Sequence, residues 1–228
     1  MSRPADSLVL FDIDGTLMRG AGQHHKRALI EGVRRVTGCE VTLDGVATAG
    51  SLDRDLIAQM LRAQGRRDRA IRDALRPIMR ECEACYAEGC PADLSPFLCA
   101  DVRQTLEALR ARGVALGIVS GNLTGIGWKK LESAGLRDFF PLAAFAEDGR
   151  SRARLAQVAH WRAARGKLIR KGSRVSLIGD HLNDVAAARQ NGFQSIAVAT
   201  GLTSREELAA TGPDILLDRL GELDLSRI

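Results

Sequence analysis

The sequence predicts an α/β fold: a Rossmann-like parallel sheet with helices on both faces, plus an all-helical cap inserted after the first strand. Three observations predict it. From residue 101 to the end, short runs rich in Val, Ile and Leu alternate with longer amphipathic stretches, the pattern of parallel strands joined by crossover helices. Residues 21–98 break that rhythm with helical periodicity and no clear strand. The first apolar run, Leu8 to Phe11, ends on two carboxylates, Asp12 and Asp14, at the sheet edge where open parallel sheets bind ligands.

Taken in order, the strands are LVLF (8–11), VALGIVS (114–120), RVSLIGD (174–180), SIAV (195–198) and DILL (214–217). Each is too short for a helix and rich in β-branched or branched apolar residues. Helices are predicted at about 101–112, 124–134, 152–165, 183–191 and 204–210, where apolar residues recur at helical spacing. Within the insert, helical patterns cover His24–Thr37, Arg54–Gln64 and Arg67–Ala87, punctuated by Gly38, Gly65 and Gly89-Cys90-Pro91. The domain reading is therefore a catalytic core of residues 1–20 and 92–228, with a helical cap of residues 21–91. Its expected hinges are Met18–Gly22 and Pro91–Phe97. A helical module leaving the chain beside Asp12 would sit over the strands' carboxyl ends, where it can exclude water and select substrate.

Composition narrows the function classes. With 228 residues, 45% hydrophobic and 27% charged, the chain suffices for one sizeable domain with an insert. Aromatic residues make up only 4%, which argues against stacking on single-stranded nucleic acid. The net charge of +5 suits a small anionic ligand and also nucleic acid. The basic residues are scattered, and the one short cluster, Arg165 to Lys171, reads as a solvated helix end and loop before a strand. No nucleic-acid partner is expected. No apolar run approaches the ~20 residues that span a bilayer, and the N-terminus lacks a signal peptide's apolar region. The expectation is a cytoplasmic protein with no membrane partner.

The five cysteines, Cys39, Cys82, Cys85, Cys90 and Cys99, are an odd number and argue against a disulfide framework. Cys82 and Cys85 form a CxxC with metal-ligand spacing. They sit inside the helical stretch RECEACYAEG, where residues three apart share a face, and the preferred reading is a pair of small buried hydrophobes.

Three strand ends carry chemistry. Asp12 and Asp14 close the first; burying such charge is costly unless it is paired or bound to a cation. Ser120-Gly121-Asn122 closes the second, where a hydroxyl, a tight turn and backbone N–H groups ahead of a helix can hold a phosphate. The same tripeptide is also an ordinary turn. Asp180 closes the third, and Asp184 follows one helical turn on, facing the same side. These two acids could simply cap the helix. Four acids in one pocket need compensation. Hard oxygen ligands in this number suit Mg²⁺, which keeps waters and bridges to phosphate. A basic residue is needed as well, and Arg150, Arg152 and Arg154 are the candidates. An exposed arginine-rich helix start is the competing reading.

Together these motifs resemble the haloacid dehalogenase-like superfamily of hydrolases, over nearly the whole chain. DIDGTL at 12–17 is similar to the family's first motif, SGN at 120–122 to the second, and GDHLND at 179–184, continuing into VAAARQNG, to the fourth. The resemblance implies that Asp12 is a nucleophile that forms an aspartyl-phosphate and that Asp14 is the general acid/base. It implies Mg²⁺ held by Asp12, the backbone carbonyl of Asp14 and Asp180, with Asp184 nearby or acting through water. Ser120, Gly121 and Asn122 would bind the phosphoryl group. The third motif departs from the family's common Lys-Pro. In FAEDGRSRARL the register selects Arg152, with Arg150 as the alternative; an arginine there acts electrostatically rather than as a proton donor.

The insert is similar to the helical cap of phosphoglycolate-phosphatase-like members, and TAGSLDRDLI (48–57) resembles a cap segment that faces substrate. Thr48 to Asp53 are expected near the leaving group. The implied function is Mg²⁺-dependent hydrolysis of a small anionic phosphate monoester. The alternatives are a phosphoryl transferase of the sugar-phosphate mutase type and a non-catalytic binder of phosphorylated ligands. A dehalogenase would need neither Mg²⁺ nor the acid at 14. A phosphonate hydrolase would need a cap lysine, and Lys26, within the solvated-looking HHKR, is the one lysine there.

Overall fold

A computed structural model describes residues 3–228. The chain begins with β1 (Ala5–Phe11) and then leaves the sheet for three helices, α1 (Gly22–Thr37), α2 (Asp53–Ala63) and α3 (Asp68–Gly89). It returns through α4 (Val102–Ala111), β2 (Ala115–Val119), α5 (Thr124–Ser133), β3 (Leu142–Ala144), α6 (Arg152–Arg165) and β4 (Ile169–Gly179). The remaining elements are α7 (Leu182–Gln190), β5 (Gln194–Val198), α8 (Arg205–Ala210) and β6 (Ile215–Leu217). The six strands form one parallel sheet in the order β3-β2-β1-β4-β5-β6. This is the doubly wound arrangement, and it puts β1 at the point where the strand order reverses.

The continuous apolar run of β1 follows from burial on both faces. Leu8 and Leu10 pack with Leu155, Ala156, Ala159, Ala187 and Ala188 of α6 and α7. Val9 and Phe11 join Val102, Leu106 and Leu109 of α4 and Leu131 of α5 on the other side. The insert has its own apolar centre, continuous with the first of these clusters. There α1 and α3 approach closely because Gly32 has no side chain; a Cβ would strike Cys82. Cys82 and Cys85 are both buried on α3, and neither belongs to a metal-ligand cluster among the described residues.

Three elements differ from the sequence reading. Strand β3, three residues long, was not anticipated: LAA is too short to carry periodicity. Strand β1 starts at Ala5, three residues early. Strand β4 starts at Ile169, inside the stretch read as helix end and loop. Ile169 is buried and pairs with Ala5, while the register shifts between Ala5 and Ser7 and Arg170 to Gly172 stay exposed. A strand whose first half is exposed and polar looks like a loop in the sequence.

Candidate active site

The polar groups converge at the carboxyl ends of β1, β2 and β4. Asp12 directly follows β1; it is buried, and its N–H donates to the Ile178 carbonyl (3.0 Å). The chain must turn at once, and Gly15 does so with φ of 91°, in the region that favours glycine. Space demands glycine as well, because a Cβ on Gly15 or on Gly201 would overlap the Asp180 carboxylate. The Thr16 hydroxyl donates to Asp180 Oδ1 at 3.0 Å and fixes that carboxylate.

Asp12, Asp180 and Asp184 are all buried, and one carboxylate oxygen from each lies within 4.8 Å of the others. Arg152, the first residue of α6, reaches into the cluster: its Nη1 donates to Asp12 Oδ1 (2.9 Å) and to the Val119 carbonyl (3.0 Å). Its Nε lies 3.2 Å from Asp184 Oδ1, an ion-pair contact without hydrogen-bond alignment. Arg150 and Arg154 are exposed. The competing reading of Asp184 as a helix cap accounts for half of its carboxylate. One oxygen accepts from the His181 N–H (3.3 Å) at the start of α7, while the other is buried with no hydrogen-bond partner.

One guanidinium does not neutralise three carboxylates. Burial, with Asp12 and Asp184 close by, pushes Asp180 well above the usual carboxylate range, against the Thr16 hydrogen bond. Burial also pushes Asp184 up; Arg152 opposes this and the Asp12 charge adds to it. Burial works against charge on Arg152, but Asp12 and Asp184 outweigh it and keep the guanidinium protonated. An all-oxygen donor set with one buried carboxylate oxygen that accepts no hydrogen bond fits a hard divalent cation.

The Ser120–Asn122 loop joins β2 to α5. Ser120 Oγ accepts from Asn122 Nδ2 (2.7 Å), and that amide also donates to Asp14 Oδ2 (2.8 Å). The N–H groups that open α5 are already taken by carboxylates: Leu123 donates to Asp53 (2.7 Å), Thr124 to Glu147 (2.9 Å) and Gly125 to Glu83. Any phosphate cradle here is therefore limited to the loop itself.

Two participants, Lys130 and His25, were not anticipated as site groups. Lys130 of α5 is wholly buried. Its ammonium lies 2.7 and 2.6 Å from the two oxygens of Asp14, 2.7 Å from Asn122 Oδ1 and 3.2 Å from His25 Nδ1. His25 in turn bonds Asp53 through Nε2 (2.8 Å). A lysine has only protons to give, so His25 accepts at Nδ1 and donates at Nε2. The HHKR stretch is thus not uniformly solvated; Lys26 is exposed, but His25 is not. Burial opposes charge on Asp14, yet Lys130 and, less strongly, His25 hold its carboxyl below the usual range. The backbone N–H of Asp53 donates to the Gly121 carbonyl (2.8 Å), and Asn183 donates to the Gly50 carbonyl (3.0 Å). These contacts set residues 48–53 directly over the loop. Between insert and sheet lies a cavity of about 360 Å³, lined by Asp12, Asp14, Ser120, Arg152 and Asp180 on one side and by residues of the insert on the other.

Comparison with known proteins bears on the family and the fold. A haloacid dehalogenase-like hydrolase family model matches residues 7–192. The chain is 25% identical to a phosphoglycolate phosphatase of Pectobacterium atrosepticum over 93% of its own length and 88% of the relative's. It shares its fold with CbbY from Rhodobacter sphaeroides, solved in complex with phosphate (TM-score 0.69, 24% identity, 96% and 97% of the two chains). It shares it also with a β-phosphoglucomutase from Clostridium difficile (TM-score 0.66, 14% identity, 97% and 94%). The chain belongs to the haloacid dehalogenase-like hydrolase family.

Proposed function

We propose that the protein is a Mg²⁺-dependent phosphatase that hydrolyses a small phosphate monoester through an aspartyl-phosphate. The observation that carries the reading is the position of Asp12: buried, held by Arg152 Nη1 at 2.9 Å, and sharing its crevice with Asp180, Asp184 and the Ser120–Asn122 loop. Arg152 fixes one Asp12 oxygen and leaves the other for attack on phosphorus. The P–O bond to the alcohol breaks, and the departing oxygen takes a proton from Asp14, which picks that proton up from solvent as the ester's negative charge arrives beside it and opposes the hold of Lys130 on the ionised form. Asp14, then a carboxylate, takes a proton from the water that cleaves the Asp12–phosphorus bond. Ser120 and the backbone N–H groups of Gly121 and Asn122 face the transferring oxygens. Asp12, Asp180 and Asp184, with the Asp14 carbonyl, are the groups to hold Mg²⁺, which supplies charge stabilisation to those oxygens when bound. The helical insert, residues 21–91, acts as a cap that shields the site from bulk water once substrate is seated.

The test is phosphate release from a panel of phosphate monoesters, with Mg²⁺ and with chelator. Release that needs the cation is expected. Transfer of the phosphoryl group to a second alcohol in place of release would identify a transferase, and the absence of either would contradict the reading.

A further inference from the structure

The cavity's insert-side wall carries an apolar patch among polar residues that include Gln23 and Thr48. Leu29 of α1, Leu43 of the following loop and Leu56 of α2 are all buried, come from three separate segments, and meet on the cavity with Met18 and Ala49. Three polar side chains of that wall are already committed. His25 uses both ring nitrogens on Asp53 and Lys130, and Asp53 serves Leu123. The Ser51 hydroxyl donates to the Ala47 carbonyl (3.0 Å). The cations lining the cavity outside the acid cluster, Arg19 and Lys26, are exposed, so their charge lies at the solvent-facing rim. At about 360 Å³ the space far exceeds the ~30 Å³ share of one water.

We propose that the leaving group is an alcohol with a sizeable apolar body, alkyl or aryl, rather than a short carboxylate-bearing alcohol. This rests on the phosphatase reading above. A phosphoryl group over Asp12 leaves the rest of the ester against Leu29, Leu43 and Leu56. Burial of each added methylene there raises kcat/KM, because binding shared by ground and transition states appears in that ratio.

The experiment is kcat/KM for methyl through hexyl phosphate and for phosphoglycolate, with wild type, Leu43→Ser and Leu56→Ser. The alcohols of the series differ little in acidity, so chain length is the variable. The expected result is a rise of about fourfold per methylene until the cavity fills. Phosphoglycolate should be no better than ethyl phosphate, and the slope should be shallower in both variants. A flat wild-type series, a phosphoglycolate value tenfold above ethyl phosphate, or an unchanged slope in folded variants overturns the proposal while leaving a phosphatase. The wild-type series decides even if neither variant folds. A wild type that hydrolyses none of these esters, nor p-nitrophenyl phosphate, contradicts the phosphatase reading and this inference with it.

Discussion

Lys130 and Asp14 form an asymmetric ion pair: the ammonium is wholly buried, whereas the carboxylate side chain keeps 39% of its exposure. Lys130 has three acceptors, Asp14, Asn122 Oδ1 and His25 Nδ1, one for each of its protons. They come from the end of β1, the loop after β2, and the insert. One side chain thereby ties the proposed acid/base to the Ser120–Asn122 loop and to the insert.

Replacing Lys130 by Met should therefore cost turnover on the scale of a mispositioned acid/base, about 10²-fold. The Asn122 carbonyl would be left buried without a donor, at about 1–3 kcal/mol. Lys130→Arg should not rescue, because a planar guanidinium cannot serve three acceptors arranged around a point charge. Steady-state kinetics and thermal melts of the two variants check this.

Arg152 and Arg150 stand two residues apart with opposite fates, one buried on Asp12 and one exposed. Arg152→Ala should lose at least 10²-fold in kcat. It should also destabilise the metal-free protein at neutral pH by about 3–5 kcal/mol, since carboxylates are left buried without their partner. Arg150→Ala should behave as wild type. Parallel assays decide, and the reverse order would move the third-motif basic residue by two positions.

The acid cluster predicts a pH dependence of stability without metal. Asp180 and Asp184 are raised above the ordinary carboxylate range, so each holds its proton more tightly folded than unfolded. Their stabilising contribution is complete below the ordinary carboxylate pKa and is lost as pH rises through the raised native values. On the proposed function, Mg²⁺ should offset that loss by binding the ionised forms, by about 2.7 kcal/mol at a hundred times its Kd. The rise in Tm on adding Mg²⁺ should be larger at pH 8 than at pH 5. Asp184→Asn should raise the metal-free Tm at pH 8 and abolish most of the metal effect, because Asn can still cap α7. Scanning fluorimetry at the two pH values measures this.

Asp53 is the insert's fastening to the Ser120–Asn122 loop and the start of α5. Its N–H donates to the Gly121 carbonyl, and its carboxylate accepts from the Leu123 N–H and from His25. Asp53→Ala leaves a buried N–H unmet, costing about 1–3 kcal/mol. It should also speed proteolysis within residues 38–52 and raise KM. Limited proteolysis beside wild type is the check.

Much of this was legible in the residues. LVLFDIDGT announces a strand buried on both faces and ending in charge, and GDHLND repeats the pattern with a helix behind it. The spacing of VSGN places the loop. Lys130 was harder: in WKKLES it stands beside Lys129, which is paired with Glu132 on the surface, and the two read alike. The signal was positional, since Lys130 lies four residues from Ile126 and four from Ala134, on the buried stripe of its helix. His25 was lost in a run of polar neighbours. Its partners are 28 and 105 residues away, a distance no local pattern spans. Neither the short β3 nor the exposed half of β4 carried a periodic signal.

The most direct test of the account is the fate of Asp12 during turnover. Wild type should be mixed with ester and Mg²⁺, acid-quenched within one turnover, and digested for mass spectrometry beside Asp12→Asn. The account predicts a phosphoryl group on the peptide containing residues 8–20, located on Asp12. It predicts no phosphoryl group and no phosphate release in the folded variant. Phosphate release by wild type with no label on Asp12, or full activity in Asp12→Asn, would contradict it.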